Sequence, residues 1–328
     1  MEWQSIKKNL KKINLLVKVV RVFRSFFIKL ISLEYIYEFF KFLLKKVNFS
    51  NWGFIRRLSF EISNGFLVSD CEYESFIVSA NDNAIGKRVF LKREPFEIEK
   101  LYTVMSLLKQ GNDYRTFVDV GANIGVTCLP AIKRNFFKKA IAIEPDKLNY
   151  RLLKSNIALN NLEDFITSYN YALGDVEDTS VTLEMSNQNY GDHRVRKTLK
   201  HGSYQEELRE IIEVPSTTLD SVLLKEDDFS PDSALIWIDT QGFEGHILAG
   251  ASKALKSTIP LCVEFWPYGM SRADSYEPFI NALENLSYTK IYDLKNPEIA
   301  IPFSRKSFDE IYYELGEFRN RYTDLLII

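Results

Sequence analysis

Cysteine and histidine are equally scarce in this 328-residue chain, with three of each. Cys71, Cys128 and Cys262 are odd in number and far apart, which excludes a disulfide framework and a cysteine-based zinc site and points to a reducing compartment. No other residue spacing demands a metal, so none is expected. Fourteen glycines and ten prolines are too few for a collagenous or low-complexity chain, and there is no internal repeat. Long hydrophobic runs are also missing. Lys18, Arg21, Arg24, Lys29 and Glu34 interrupt every apolar stretch near the N-terminus, so neither a membrane span of about 20 apolar residues nor a signal-peptide core can be read there. A cytoplasmic location is the expectation. With 46% hydrophobic and 14% aromatic residues, the chain has ample material for a sizeable core.

The formal charge of -2 divides unevenly. Residues 1–50 hold eleven Lys and Arg against three Glu, a net +8, which leaves 31 basic against 41 acidic residues, or -10, in the rest. That split describes an acidic body with a basic arm. Large apolar residues in the arm recur at spacings of three and four, as in Leu16, Val19, Val20, Phe23 and Phe27, which predicts one or two amphipathic helices. Two readings of the arm stay open. It either lies on an anionic membrane surface at the inner face, with its cations meeting headgroups, or packs on the body or a second subunit. An acidic body without a basic groove gives no support for nucleic-acid binding. The sequence does not specify an oligomeric state.

Three segments follow: the arm (1–50), a small β-rich segment with a helix (51–110), and an α/β domain (111–328) with an insertion at about 175–215. In the second segment the runs at 66–68, 75–78 and 89–91 are read as strands, and 97–109 as a helix ending at Gly111. Beyond it, strands at 116–120, 140–143, 165–172, 235–238 and 260–265 alternate with helices at 124–136, 147–159, 216–224 and 244–255. This alternation predicts a mostly parallel sheet with helices on both faces. Strand-like pieces at 288–294 and 325–328 fit an antiparallel edge. The polar insertion, with Asp192, His193 and Arg194, is of a length that often covers a site.

The most informative stretch is Phe117-Val118-Asp119-Val120-Gly121-Ala122-Asn123-Ile124-Gly125. A buried strand runs into a glycine-containing turn and then a helix, the place where an open α/β sheet binds nucleotide-like ligands. Gly121 permits a sharp turn and a close ligand approach, and Gly125 lets the helix start lie near the ligand. No Gly-Lys-Ser/Thr follows, so the loop is not built for a triphosphate, and Asn123 replaces the glycine that a dinucleotide pyrophosphate needs. Asp119 disfavours an anionic ligand. Glu144, at the end of the second strand, can accept both hydroxyls of a ribose. An adenosine joined to a positively charged amine, without phosphate, satisfies all of these features, and S-adenosylmethionine is such a ligand.

The sequence resembles the FkbM-type S-adenosylmethionine-dependent methyltransferases. Val118-Asp119-Val120-Gly121-Ala122-Asn123-Ile124-Gly125 is similar to that family's first motif. The likeness continues through Ile143-Glu144-Pro145, Asn156 and Asn160, Ala172-Leu173-Gly174-Asp175, Thr218-Leu219-Asp220, Ile238-Asp239-Thr240-Gln241-Gly242-Phe243-Glu244 and Val263-Glu264. The resemblance covers roughly residues 90–266. It implies a Rossmann-like class I methyltransferase fold and methyl transfer to a hydroxyl oxygen of a sugar or natural product. Asp119, Gly121, Asn123 and Gly125 would then face the methionine part, with Glu144 on the ribose and Ala172 in the same cofactor set. Many members read Lys-Ile-Asp-x-Glu-Gly-x-Glu at the fourth strand, whereas here Trp237 replaces the lysine and Gln241 the first glutamate.

Methyl transfer to oxygen requires alignment and a proton acceptor. Asp239, at a strand's carboxyl end beside the crevice, is the first candidate for the base. Glu244 is a second, although a carboxylate in a first helical turn also stabilises the helix, and His193 in the insertion is a third. The reading is thus an O-methyltransferase acting on a carbohydrate or glycolipid acceptor. The competing classes are a nicotinamide-dependent oxidoreductase of related fold and a catalytically silent scaffold recruited through the arm.

Overall fold

The computed structural model describes residues 53–108, 114–256, 259–318 and 320–328, together with five helical positions of the arm, Val17, Lys18, Val20, Arg21 and Lys41. Most of the arm's expected helices, and the helix end expected at Gly111, lie outside the described residues. The chain divides into two units, Met1–Leu67 and Val68–Ile328. In the first, helix Gly53–Ile62 buries Phe60 alone. No helix among the described residues is long and apolar enough to cross a membrane.

The strands in chain order are β1 (Phe66–Asp70), β2 (Ser75–Ser79), β3 (Thr116–Val120), β4 (Lys139–Ile143), β5 (Ile166–Tyr169), β6 (Ala172–Leu173), β7 (Thr179–Glu184), β8 (Arg194–Val195), β9 (Ile211–Thr217), β10 (Ala234–Ile238), β11 (Leu261–Phe265), β12 (Lys290–Asp293), β13 (Ala300–Pro302) and β14 (Thr323–Ile327). The main sheet runs β13-β12-β14-β11-β10-β3-β4-β5. β11, β10, β3, β4 and β5 are parallel, and β14, β12 and β13 join antiparallel. β3, β10 and β11 are buried along their whole length, because helices cover both faces of a parallel sheet and leave no polar side. From β3 the chain winds outward through β4 and β5, then returns to build β10 and β11 on the other side. The order therefore reverses between β3 and β10, which opens a crevice at their carboxyl ends.

Several segments differ from expectation for identifiable reasons. The run at 89–91 lies in helix Ile85–Lys92. Asp82 sets that helix by accepting the backbone N–H groups of Ala84 and Gly86 at 3.0 and 2.6 Å, which decides an apolar run that fits strand and helix alike. The helix expected over 124–136 shrinks to Cys128–Lys133, since Asn123 and Gly125 hold φ of 50° and 91°, values no helix accommodates. The strand expected over 165–172 is two strands, because β6 leaves the main sheet and pairs with β9. β6, β9, β7 and β8 form a separate four-stranded sheet from what sequence reads as a polar insertion. Residues 216–224 divide between the end of β9 and helix Leu219–Leu223, which Thr218 caps by accepting the Ser221 N–H. At the other end of the molecule, β14 lies inside the sheet against β11, and β13 forms the edge.

β2 is fastened by side chains of helix Lys147–Leu159. The Asn156 Oδ1 accepts the Ile77 N–H at 2.6 Å and its Nδ2 donates to the Ile124 carbonyl at 2.9 Å. One turn later, Asn160 bonds both the N–H and the carbonyl of Ser75 at 2.9 and 2.7 Å. Two amides at i and i+4 thus stand in for a neighbouring strand. Replacing Asn156 with Ala strands the partners of a fully buried amide, and stability is expected to fall by about 2–4 kcal/mol, read from the urea midpoint. A loss below about 0.5 kcal/mol, the range of an ordinary surface substitution, would refute this account of the fastening.

Candidate functional site

The crevice at the strand-order reversal is a cleft enclosing about 1110 Å³ of space open to solvent, and Asp119, Gly121, Asn123, Glu144, Ala172, His193 and Asp239 all line it. Eight of the nine residues singled out in the sequence are thus within or beside one cavity once Gly125 is counted in the same loop. Glu244 is not among its lining residues.

Glu144 follows β4, and its carboxylate is folded between two loops. Oε2 accepts the Asn123 N–H at 2.9 Å and Oε1 accepts the Asp146 N–H at 2.8 Å. Asp146 in turn caps helix Lys147–Leu159 through the Asn149 N–H. Burial nevertheless pushes the Glu144 pKa up to about 8, with the Asp146 and Asp119 charges acting in the same sense. Asp119 is likewise buried. It accepts the Cys128 N–H at 3.0 Å, where the short helix begins, and burial pushes its pKa up to about 7.

Asn123 adopts φ 50°, in the left-handed region that asparagine tolerates better than most residues. Its side chain is spoken for. Oδ1 accepts the Ile124 N–H and Nδ2 donates to the Tyr190 carbonyl at 3.0 Å, which also receives Asn149 Nδ2 at 2.8 Å. Two amides therefore hold the insertion's backbone over the loop. The glycines also have reasons that the sequence did not reveal. A Cβ on Gly121 would lie 1.9 Å from the Asp239 carbonyl oxygen, and one on Gly125 would lie 2.3 Å from Leu129 Cδ1. Both glycines hold positive φ in the turn and serve close packing within the protein, and Gly121 also lines the cleft.

Beside the glycine loop, Asp239 follows β10 directly and is half-buried at the cleft. The Gln241 amide donates one N–H to Asp239 Oδ1 at 2.8 Å and another to Glu264 Oε2 at 2.9 Å. Burial raises both carboxyl pKa values. Glu264 rises well above the ordinary range, pushed further by Asp239, Glu244 and Asp324, whereas Lys100 and the Gln241 N–H hold Asp239 down. Burial and the neighbouring charges thus favour the protonated form of Glu264 more strongly than that of Asp239. Lys100 reaches the cleft from helix Ile98–Leu108 and pairs with Asp324 at 2.6 Å and with Glu97. It is a cation that no local pattern reveals, because Asp324 is 224 positions away and faces Glu264 only through the β11–β14 register.

Two base candidates read from sequence are displaced by the geometry. The Glu244 Oε1 accepts the Thr240 N–H and Oγ1 at 3.0 Å and the Gly242 N–H at 3.1 Å, and the side chain is fully buried. It organises the loop that carries Asp239 and Gln241. The His193 Nδ1 accepts the Ser186 N–H at 3.0 Å, and burial holds its pKa below the ordinary value. The neutral ring therefore carries its proton on Nε2, so it offers a donor to the cleft and no lone pair to take a proton.

The donor set suits a cationic, phosphate-free ligand. Asp119, Glu144, Asp239 and Asp324 line the cleft, and Lys100 is the sole Lys or Arg among its described lining residues. The floor includes apolar Val126, Ile143 and Leu173. Among the described residues, no group of three or more His, Cys, Asp or Glu side chains is placed to hold a metal ion.

The family described as Methyltransferase FkbM domain matches residues 119–319, more than half of the chain. No curated protein matches the sequence. Among solved structures, the methyltransferase FkbM from Methylobacillus flagellatus KT is 18% identical, with a TM-score of 0.41 over 74% of this chain and 52% of that one. The chain thus spans about half that relative's length. P. horikoshii TYW2 in complex with MeSAdo is 13% identical, with a TM-score of 0.40 over 81% of this chain and 70% of its own. M. jannaschii TYW2 in complex with AdoMet is 10% identical, with a TM-score of 0.40 over 81% and 85%. By its match across residues 119–319, which takes in the glycine loop, Glu144, Asp239 and Glu264, the chain belongs to the FkbM methyltransferase family.

Proposed function

We propose that this protein methylates a hydroxyl oxygen of a carbohydrate-containing acceptor, a sugar of a polysaccharide, glycolipid or related natural product, with S-adenosylmethionine as the donor. The observation that carries this reading is the charge of the cleft. A pyrophosphate beside Asp119, Glu144 and Asp239 would oppose their ionisation, whereas a sulfonium and an ammonium favour the ionised forms and are held by them. Family membership likewise favours methyl transfer over hydride transfer.

Glu144 would accept ribose hydroxyls through the lone pairs its oxygens retain beyond the Asn123 and Asp146 N–H bonds. Asp119 would face the positively charged end. Bound there, the cofactor supplies a methyl group on a sulfonium sulfur. Asp239 would orient the acceptor hydroxyl and take its proton, with the Gln241 amide holding the carboxylate in place and the Lys100 charge opposing the rise that burial imposes on its pKa. The His193 Nε2–H would donate to an acceptor oxygen.

Replacing Asp239 with Asn is expected to lower kcat by about 10²- to 10⁴-fold and to leave cofactor affinity within a few-fold. The assay is transfer of radiolabelled methyl to glycan, lipid and small-molecule fractions of the host, and undiminished transfer would remove Asp239 from its role. Lys100→Met takes away the charge that depresses the Asp239 pKa. It should move the acid limb of the kcat–pH profile upward by about one unit; an unmoved limb would show that Lys100 does not tune the base.

Cofactor affinity should also depend on pH through Glu144. In the free protein its raised pKa of about 8 leaves it mostly protonated at pH 7. Ribose hydroxyls donate to the ionised form, so binding releases a proton and tightens as pH rises toward 8, then levels off. Asp119, at about 7, acts in the same direction beside a cation. Isothermal titration with S-adenosylmethionine between pH 6 and 9 measures the slope. Glu144→Gln should weaken binding and flatten the upper part of the slope, and a wild-type affinity that is constant across this range would overturn the assignment.

A further inference from the structure

A second, smaller and shallow concavity shares Val195, Gln241 and Phe243 with the cofactor cleft. Its charge is opposite. Arg194, Arg196, Lys197 and Arg272 line it against one carboxylate, Glu184. Two of these cations are committed elsewhere. Arg194 bonds Asp192 through Nε at 2.6 Å and Glu206 through Nη1 at 2.8 Å, and its guanidinium lies 4.7 and 4.6 Å from the Tyr204 and Trp266 ring centres. Arg196 meets Glu184 at 3.2 Å and donates to the Glu206 carbonyl at 2.6 Å.

The other two retain donors. Lys197 is exposed, lies 5.4 Å from the Phe243 ring centre and has no carboxylate partner among the described residues. Arg272 places Nε 3.5 Å from Glu206 and donates from Nη1 and Nη2 to the Lys200 carbonyl at 3.2 Å each, which leaves two terminal N–H groups. Within this network five cations, counting Arg209 on Asp192, face three carboxylates, Asp192, Glu184 and Glu206.

We propose that this pocket is an oxyanion subsite for the methyl acceptor, so that the acceptor carries a carboxylate or phosphoryl group near the hydroxyl to be methylated. The inference rests on the methyltransferase reading above and adds the acceptor's charge to it. The two cavities divide the reactants by sign. A cation is favoured in the acidic cleft and an anion in the basic pocket, and they meet at Gln241, whose side chain bonds the proposed base Asp239. An anion held on Lys197 and Arg272 would bring a neighbouring hydroxyl toward that carboxylate, whereas the same anion in the acidic cleft would be repelled.

The experiment is isothermal titration of the full chain, in the presence of S-adenosylhomocysteine, with glucuronate, glucose 1-phosphate and neutral methyl glucoside as probes. The acidic probes should bind at least about fivefold more tightly than the neutral one, and added salt should erode the difference. Lys197→Glu, at an exposed position that leaves the fold intact, should weaken the acidic probes about tenfold, the worth of a charge-assisted bond. Affinity for S-adenosylhomocysteine should be unchanged. Preference for glucuronate identifies a carboxylate and preference for glucose 1-phosphate a phosphoryl group, and either supports the subsite. Equal binding of acidic and neutral probes, or no response to Lys197→Glu, overturns it. Failure of S-adenosylhomocysteine to bind would instead count against the cofactor reading, with the acidic-to-neutral ratio still judging the pocket.

Discussion

An excess of buried and half-buried carboxylate governs the site. Asp119, Glu144, Asp239, Glu244, Glu264 and Asp324 converge near the carboxyl ends of β3, β4, β10 and β11, with Lys100 as the counter-ion among the described lining residues. Removing so many acids from water is costly unless each is hydrogen-bonded, protonated or paired. The protein uses all three devices. Backbone N–H groups hold Asp119, Glu144 and Glu244, Glu264 keeps a proton, and Lys100 answers Asp324. What these leave uncompensated favours positive charge in the cleft, where burial pushes the Asp119 and Glu144 pKa values up to about 7 and about 8.

Amide side chains do the complementary task of joining parts that share no sheet. Asn156 and Asn160 bind β2 to a helix, and Asn123 and Asn149 meet on the Tyr190 carbonyl. An amide can donate and accept at once, so it can satisfy exposed backbone without adding charge to a site already burdened with it. Gln241 applies the same property between Asp239 and Glu264. A glutamate at that position would add a further carboxylate.

Legibility followed the range of the interactions. The parallel core strands were visible as short apolar runs because burial on both faces removes their polar positions, and Asp119, Glu144 and Asp239 stood out as acids at the ends of such runs. The run at 89–91 misled, because its apolar content fits strand and helix alike and the Asp82 cap decides between them. The proton position on His193 and the inward turn of Glu244 depend on which backbone N–H happens to be near. No residue-level pattern encodes that.

The sequence by itself determined the class of fold, the glycine loop, the acids at the strand ends and the division of charge between arm and body, since each is written in neighbouring residues or in composition. Only the tertiary structure decided that Lys100 meets Asp324, that Gln241 bridges two carboxylates, and that the insertion forms its own sheet with a basic pocket that shares Gln241 and Phe243 with the cleft. Those contacts join residues up to 224 positions apart, and the strand register and helix packing that set them exist only once the chain has folded.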